Sequence, residues 1–130
     1  MRALICRAWG DIDTLELAEV PAPVPGAGEV LIDVVSSSAN FADTIMVAGK
    51  YQTKPEFPFA PGLEAAGRIA KVGPGVEGFQ PGDPVMATLA HGGFAEQAIA
   101  AVEEAWPMFE GMSFADGAAF TVAYLSTHLA

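Results

Sequence analysis

Asn40 and Asp43 stand three residues apart at the start of the apolar stretch Phe41 to Ala48, which Gly49 stops. On a helix that spacing puts both on one face. The Asn40 amide offers two donors and an acceptor. That suits a helix cap or presentation toward a cleft. Asp43 has two readings as well, an acidic first-turn residue favoured by the helix dipole or a binding group. Tyr51, in Gly49-Lys50-Tyr51, carries a phenol that can donate to a carbonyl oxygen gaining negative charge, and it equally suits an aromatic at a loop edge. Glu64 reads as a buried glutamate bridging strand and loop, since charged groups are seldom buried without partners. Thr121, on a late helical pattern with Tyr124, has the simple reading of a hydroxyl bonded back to its backbone. Such a set can stabilise a developing oxyanion by hydrogen bonds. A serine hydrolase is unsupported, because no Gly-x-Ser-x-Gly elbow occurs. One cysteine with the distant His91 and His128 makes no ligand cluster.

The elements that position these residues are short. Arg2 to Arg7 and Leu15 to Val20 read as strands separated by the Gly10-Asp11 turn. Pro21, Pro23, Pro25, Gly26 and Gly28 make a stiff connector. Val30, Ile32 and Val34 alternate with Leu31, Asp33 and Val35, the pattern of a half-buried strand. The short helix over Phe41 to Ala48 follows, with Asn40 at its start. Pro55, Pro58 and Pro61 keep the next loop extended and deny it ladder hydrogen bonds. Ala65 to Val72 reads as a strand whose Ala65, Ala66 and Gly67 allow close backbone approach. Short strands are expected at Val85 to Ala87 and Ala95 to Ala100, then extended chain to Trp106-Pro107. Ser113 and Asp116 form a capping-box-like start for a helix from Phe114. Many short strands with Gly/Pro turns point to a mainly β, partly open barrel.

At 130 residues, 52% of them hydrophobic and 17% charged, the chain can bury a core and is too apolar for disorder. The net charge of −10, with no lysine or arginine after Lys71, argues against nucleic acid. No apolar run reaches the ~18 residues of a membrane span. A lone Cys6 excludes an internal disulfide and fits a reducing cytoplasm; its plain reading is a small core residue. Lys50 and Lys54 flank Tyr51, either as weak steering charges for an anionic cofactor or as ordinary solvated loop charges.

The stretch from Asn40 to Val72 resembles, nearly residue for residue, the catalytic segment of the zinc-independent quinone reductases and zeta-crystallins of the medium-chain dehydrogenase/reductase superfamily. Other pieces follow at matching spacing: Leu15 to Leu17, Val20 to Pro23, Gly28 to Ile32, Val72 to Val76, Phe79 to Val85, Gly92 to Glu96, Ala118-Ala119 and Thr121 to Tyr124. Zinc-dependent members open the segment with Cys and read Gly-His-Glu where this chain has Gly62-Leu63-Glu64. Asn40 and Leu63 stand at those two ligand positions, so no zinc is expected.

The resemblance implies a GroES-like barrel over residues 1–112. Residues 113–130 would begin the helix leading to a Rossmann domain that lies outside this chain. That domain would bind most of an NADPH or NADH cofactor. Gly73-Pro74-Gly75 leads into Val76-Glu77-Gly78-Phe79-Gln80-Pro81, which cannot form a phosphate-binding helix. The apolar helical pattern is still running at Ala130. The resemblance further implies hydride transfer to a quinone or related enone. It places Asn40 beside the nicotinamide ring and the substrate carbonyl, and Tyr51 at the cleft edge. Asp43 would bond the cofactor ribose or a neighbouring loop, and Thr121 and Tyr124 would pack on the nicotinamide side. Phe41, Ile45, Tyr51 and Tyr124 would line the substrate pocket, with Ile45 where many relatives carry a second tyrosine. A cytoplasmic homodimer is implied. The rival readings are a non-catalytic binding or structural protein on the same scaffold and a co-chaperonin-like barrel. The active-site-like segment Asn40 to Tyr51 opposes the last.

Overall fold

In the computed structural model, residues 1–129 are described, with side chains placed as far as Thr121. The strands are β1 (Arg2–Ile5), β2 (Glu16–Glu19), β3 (Glu29–Ser37), β4 (Glu64–Val72), β5 (Pro84–Thr88), β6 (Gln97–Ala101) and β7 (Ala105–Pro107). Helix α1 (Phe41–Val47) sits between β3 and β4, and α2 (Phe114–Leu129) follows β7. Five strands form one antiparallel sheet in the order β6-β3-β4-β5-β7, curled into a half-barrel, and β1 pairs with β2. Among the described residues no helix is long and apolar enough to cross a membrane.

The concave core is built by Val30, Ile32, Ala65, Ile69, Val85, Ala87 and Leu89. Each large aliphatic side chain buried there contributes about 1.5–3 kcal/mol. The opposite face of β4 and β5 presents Ala66 and Met86 to Ala118 of α2. Sheet curvature is set where β3 meets β4, whose pairing shifts register between Leu31 and Ile32 and again between Val34 and Ser36. Bulges of this kind bend a strand and raise its twist. At Gly67 a Cβ would stand 1.9 Å from the Asp33 carbonyl oxygen, so only glycine permits this approach.

Three expectations need correction. The alternation in β3 fails at its start, where Val30, Leu31 and Ile32 are all buried because both faces of the strand are covered there. Phe59, between Pro58 and Pro61, does make ladder bonds: it exchanges two backbone hydrogen bonds with Cys6, at 2.7 and 3.2 Å. The prolines constrain their own nitrogens and leave Phe59 free to pair. The extended chain to Trp106-Pro107 is interrupted by a 3-10 turn at Val102–Glu104 before it ends as a strand, β7, paired with β5.

Candidate active site

Helix α1 starts where β3 ends, and the residues around its first turn are locked in place. Asn40 takes the N-cap position with extended backbone, φ −122° and ψ 155°. Its backbone N–H donates to Asp43 Oδ2 at 2.8 Å. Asp43 is fully buried, and its Oδ1 accepts the Gly62 N–H at 3.0 Å. Burial pushes the Asp43 carboxyl above its ordinary value; the two backbone donors oppose this, and the nearby Glu64 charge adds to it. Gly62 adopts φ +111°, and a Cβ there would stand 2.6 Å from the Gly93 Cα. That packing holds the Pro61 to Leu63 turn against the Gly93-Phe94 segment, where Phe94 N–H donates to Pro61 O at 2.9 Å. The turn delivers Glu64 as the first residue of β4.

Glu64 is 2% exposed. Its Oε1 accepts from Asn40 Nδ2 at 3.2 Å and its Oε2 from the Thr121 hydroxyl at 3.0 Å. One buried carboxylate thus joins the start of α1, the start of β4 and the middle of α2. A second tie runs nearby, from Ser38 Oγ to the Ala118 carbonyl at 2.7 Å. The two bonds to the Glu64 carboxylate are charge-assisted and worth about 1.5–3 kcal/mol each, the neutral Ser38 bond about 0.5–1.5 kcal/mol. Asn40, Asp43 and Thr121 are therefore brought together, with Glu64 at their centre. The Thr121 hydroxyl reaches Glu64 rather than its own backbone. Both Asp43 oxygens take chain N–H groups, one from the N-cap Asn40 and one from Gly62.

Tyr51 is half-buried and packs on the apolar cluster of Cys6, Met46, Val47, Phe59 and Leu63. Its position is fixed by the end of α1, where Lys50 N–H donates to the Ile45 carbonyl at 3.0 Å. Ile45 is partly buried, and Phe41 is 81% exposed. Leu63 belongs to the same apolar cluster, and no group of three or more His, Cys, Asp or Glu capable of holding a metal occurs among the described residues. Cys6 is buried, and that burial raises its thiol. The side chain of Tyr124 lies outside the described residues, as do those of Leu125 and His128.

Sequence reasoning missed the ground beside Thr121. Met86, Trp106, Pro107, Met108, Phe109, Phe120 and Thr121 line a mostly apolar cavity of about 390 Å³. The run Trp106 to Phe109 just ahead of the Ser113 cap was the available signal, since it is unusually apolar for a connector. Phe120 stacks edge-on with Phe109 at 5.5 Å between centroids. Two donors, the Asn40 amide and the Thr121 hydroxyl, thus converge on one anion between helices. The second Nδ2 hydrogen of Asn40 has no partner among the described residues. An arrangement of this kind can present a fixed donor to a carbonyl oxygen.

Residues 26–120 match the alcohol dehydrogenase GroES-like domain. A quinone oxidoreductase of Lama guanicoe is 37% identical over 132 residues, covering 100% of this chain and 40% of that protein. The synaptic vesicle membrane protein VAT-1 homolog of Rattus norvegicus is 34% identical over 131 residues, covering 99% of this chain and 32% of its own length. Among solved structures, the quinone oxidoreductase of Thermus thermophilus, solved also as a complex with NADPH, superposes with a TM-score of 0.82. It shares 32% identity, over 99% of this chain and 39% of that one. The chain spans about two fifths of the length of the quinone oxidoreductases it matches. By the extent of these matches and by its half-barrel, this chain belongs to the alcohol dehydrogenase GroES-like domain family of the medium-chain dehydrogenase/reductase superfamily.

Proposed function

We propose that the chain is the substrate-side part of a zinc-independent, NADPH- or NADH-dependent reductase of quinones or related enones. Residues 1–112 form the substrate-side domain, and residues 113–130 lead to a cofactor-binding domain. The observation that carries this reading is the Asn40 amide, anchored on buried Glu64 at 3.2 Å with a second N–H left to give. The relatives named quinone oxidoreductase support the substrate class, and the neighbour solved with NADPH supports the cofactor. Leu63 in an apolar cluster and Asn40 on Glu64 are a donor set unsuited to zinc, which favours a metal-free site.

The chain's residues fit only the nicotinamide end of a dinucleotide. Asn40 and Thr121 supply polar groups there, whereas Gly73 to Gly75 forms a turn after β4 with no helix behind it. When bound, the nicotinamide supplies the hydride. Reduction of a conjugated carbonyl moves negative charge onto its oxygen, and a fixed donor at that point lowers the barrier. Asn40 Nδ2 takes this role. The Tyr51 phenol, which makes no hydrogen bond among the described residues, is the second donor. Phe41, Ile45 and Tyr124 contribute to the apolar wall, and Asp43 holds the turn beneath Asn40. The enzyme is a homodimer of a reducing cytoplasm, a setting that suits a buried free thiol at Cys6.

In the full-length polypeptide, Asn40→Ala is expected to lower turnover with NADPH and a quinone at least ~10-fold, or about 1.4 kcal/mol of barrier. Tyr51→Phe should cost less, because water can replace a phenol at an open edge. Unchanged kinetics in both variants would remove these residues from the chemistry. The second reading is a non-catalytic binding or structural protein on the same scaffold; NADPH binding without quinone reduction would select it.

A further inference from the structure

We propose that Glu64 is the positioning residue that sets which edge of the Asn40 amide faces the cleft and couples that choice to α2. An ionised carboxylate can only accept hydrogen bonds. Nδ2, and not Oδ1, must therefore face Glu64 Oε1 across the 3.2 Å gap. The last torsion of an asparagine is broad and nearly two-fold, so an unanchored amide would present oxygen almost as readily as nitrogen. An oxygen in that place would repel a substrate carbonyl. Glu64 removes the ambiguity and leaves the second Nδ2 hydrogen as a directed donor. Its other oxygen holds the Thr121 hydroxyl at 3.0 Å, so a shift of α2 is felt at the amide. Asp43 fixes the backbone of Asn40 and the Gly62 turn, and its N–H closes the capping box on the Asn40 side chain; Glu64 is the partner that holds the amide nitrogen.

This inference rests on the reading of Asn40 as a donor to substrate, and two measurements separate them. In ¹⁵N-labelled protein, the Asn40 side-chain amide (identified by its loss in Asn40→Ala) is expected to show one hydrogen shielded from exchange. Glu64→Gln keeps the side-chain shape but offers either a donor or an acceptor, and should weaken that shielding at least ~10-fold while the backbone spectrum stays native. In the full-length polypeptide, Glu64→Gln should lower kcat for quinone reduction at least ~10-fold with KM for NADPH within about 2-fold. It should cost nothing more once Asn40 is alanine, because the two residues act as one unit. Unaltered Asn40 exchange in folded Glu64→Gln overturns the positioning role, and so does an additive loss in the double variant. If the wild-type polypeptide reduces no quinone, the functional reading falls, and the amide exchange alone decides for or against Glu64.

Discussion

Replacing Asn40 by aspartate exchanges one NH₂ for an oxygen at nearly constant volume, which isolates its bond to Glu64. Nδ2 now stands 3.2 Å from Glu64 Oε1. In Asn40→Asp two carboxylate oxygens face each other there. At an effective dielectric of about 20, two unit charges at that separation repel by about 5 kcal/mol. The lost bond to a charged acceptor adds about 1.5–3 kcal/mol. Asn40 is only partly buried, so solvent and side-chain relaxation reduce the total, and a loss of about 3–5 kcal/mol at pH 8 is expected.

The pH dependence has a definite sign. Repulsion raises the carboxyl pair above its unfolded value of about 4, so the folded variant binds more protons than the unfolded one. Its stability then falls as pH rises through the raised value and is regained toward pH ~4. Urea unfolding followed by the fluorescence of Trp9 and Trp106 reads this at pH 5 and pH 8. Asn40→Ala, which loses the cap and the bond without adding charge, should fall by only about 1–2 kcal/mol and change little with pH. Equal midpoints for Asn40→Asp and Asn40→Ala at both pH values would show that Asn40 does not face Glu64.

Other outcomes follow from the same geometry. Gly67→Ala would place a Cβ 1.9 Å from the Asp33 carbonyl oxygen, forcing β3 and β4 apart, and should cost at least ~3 kcal/mol in urea unfolding; a loss under 1 kcal/mol would disprove the close approach. Asp43→Asn turns an amide donor toward the Gly62 or Asn40 N–H and should cost about 1–3 kcal/mol near neutrality. Because the Asp43 carboxyl is raised in the fold, its contribution is most favourable below about pH 4 and is lost as pH rises, so the gap between wild type and variant should narrow with rising pH; a widening gap would reverse the sign argued here. Elemental analysis of chelator-free protein should find no stoichiometric zinc, and one zinc per chain would overturn the metal-free reading.

Most of the site was legible locally. Asn40, Asp43 and Gly49 bracket a seven-residue helix through cap and stop chemistry that acts within one or two turns. Ser113 caps α2 as its spacing with Asp116 implies, the Asp116 N–H donating to its hydroxyl at 3.1 Å. Tight approach at Gly67 was foreseeable because the absence of a side chain is written in the residue type. Glu64 could be read as buried and bridging, but its partners could not be named.

Those partners lie 24 and 57 residues away, and no periodicity relates them. Only the pairing of β4 between β3 and β5, with α2 laid across its outer face, brings the three together. The same holds for the double burial of Leu31, the ladder bonds of Phe59 and the cavity beside Thr121. Local chemistry settles how short elements begin, end and alternate, because it acts over a few residues. Which anion an amide meets depends on long-range register, and that is decided only when the sheet closes.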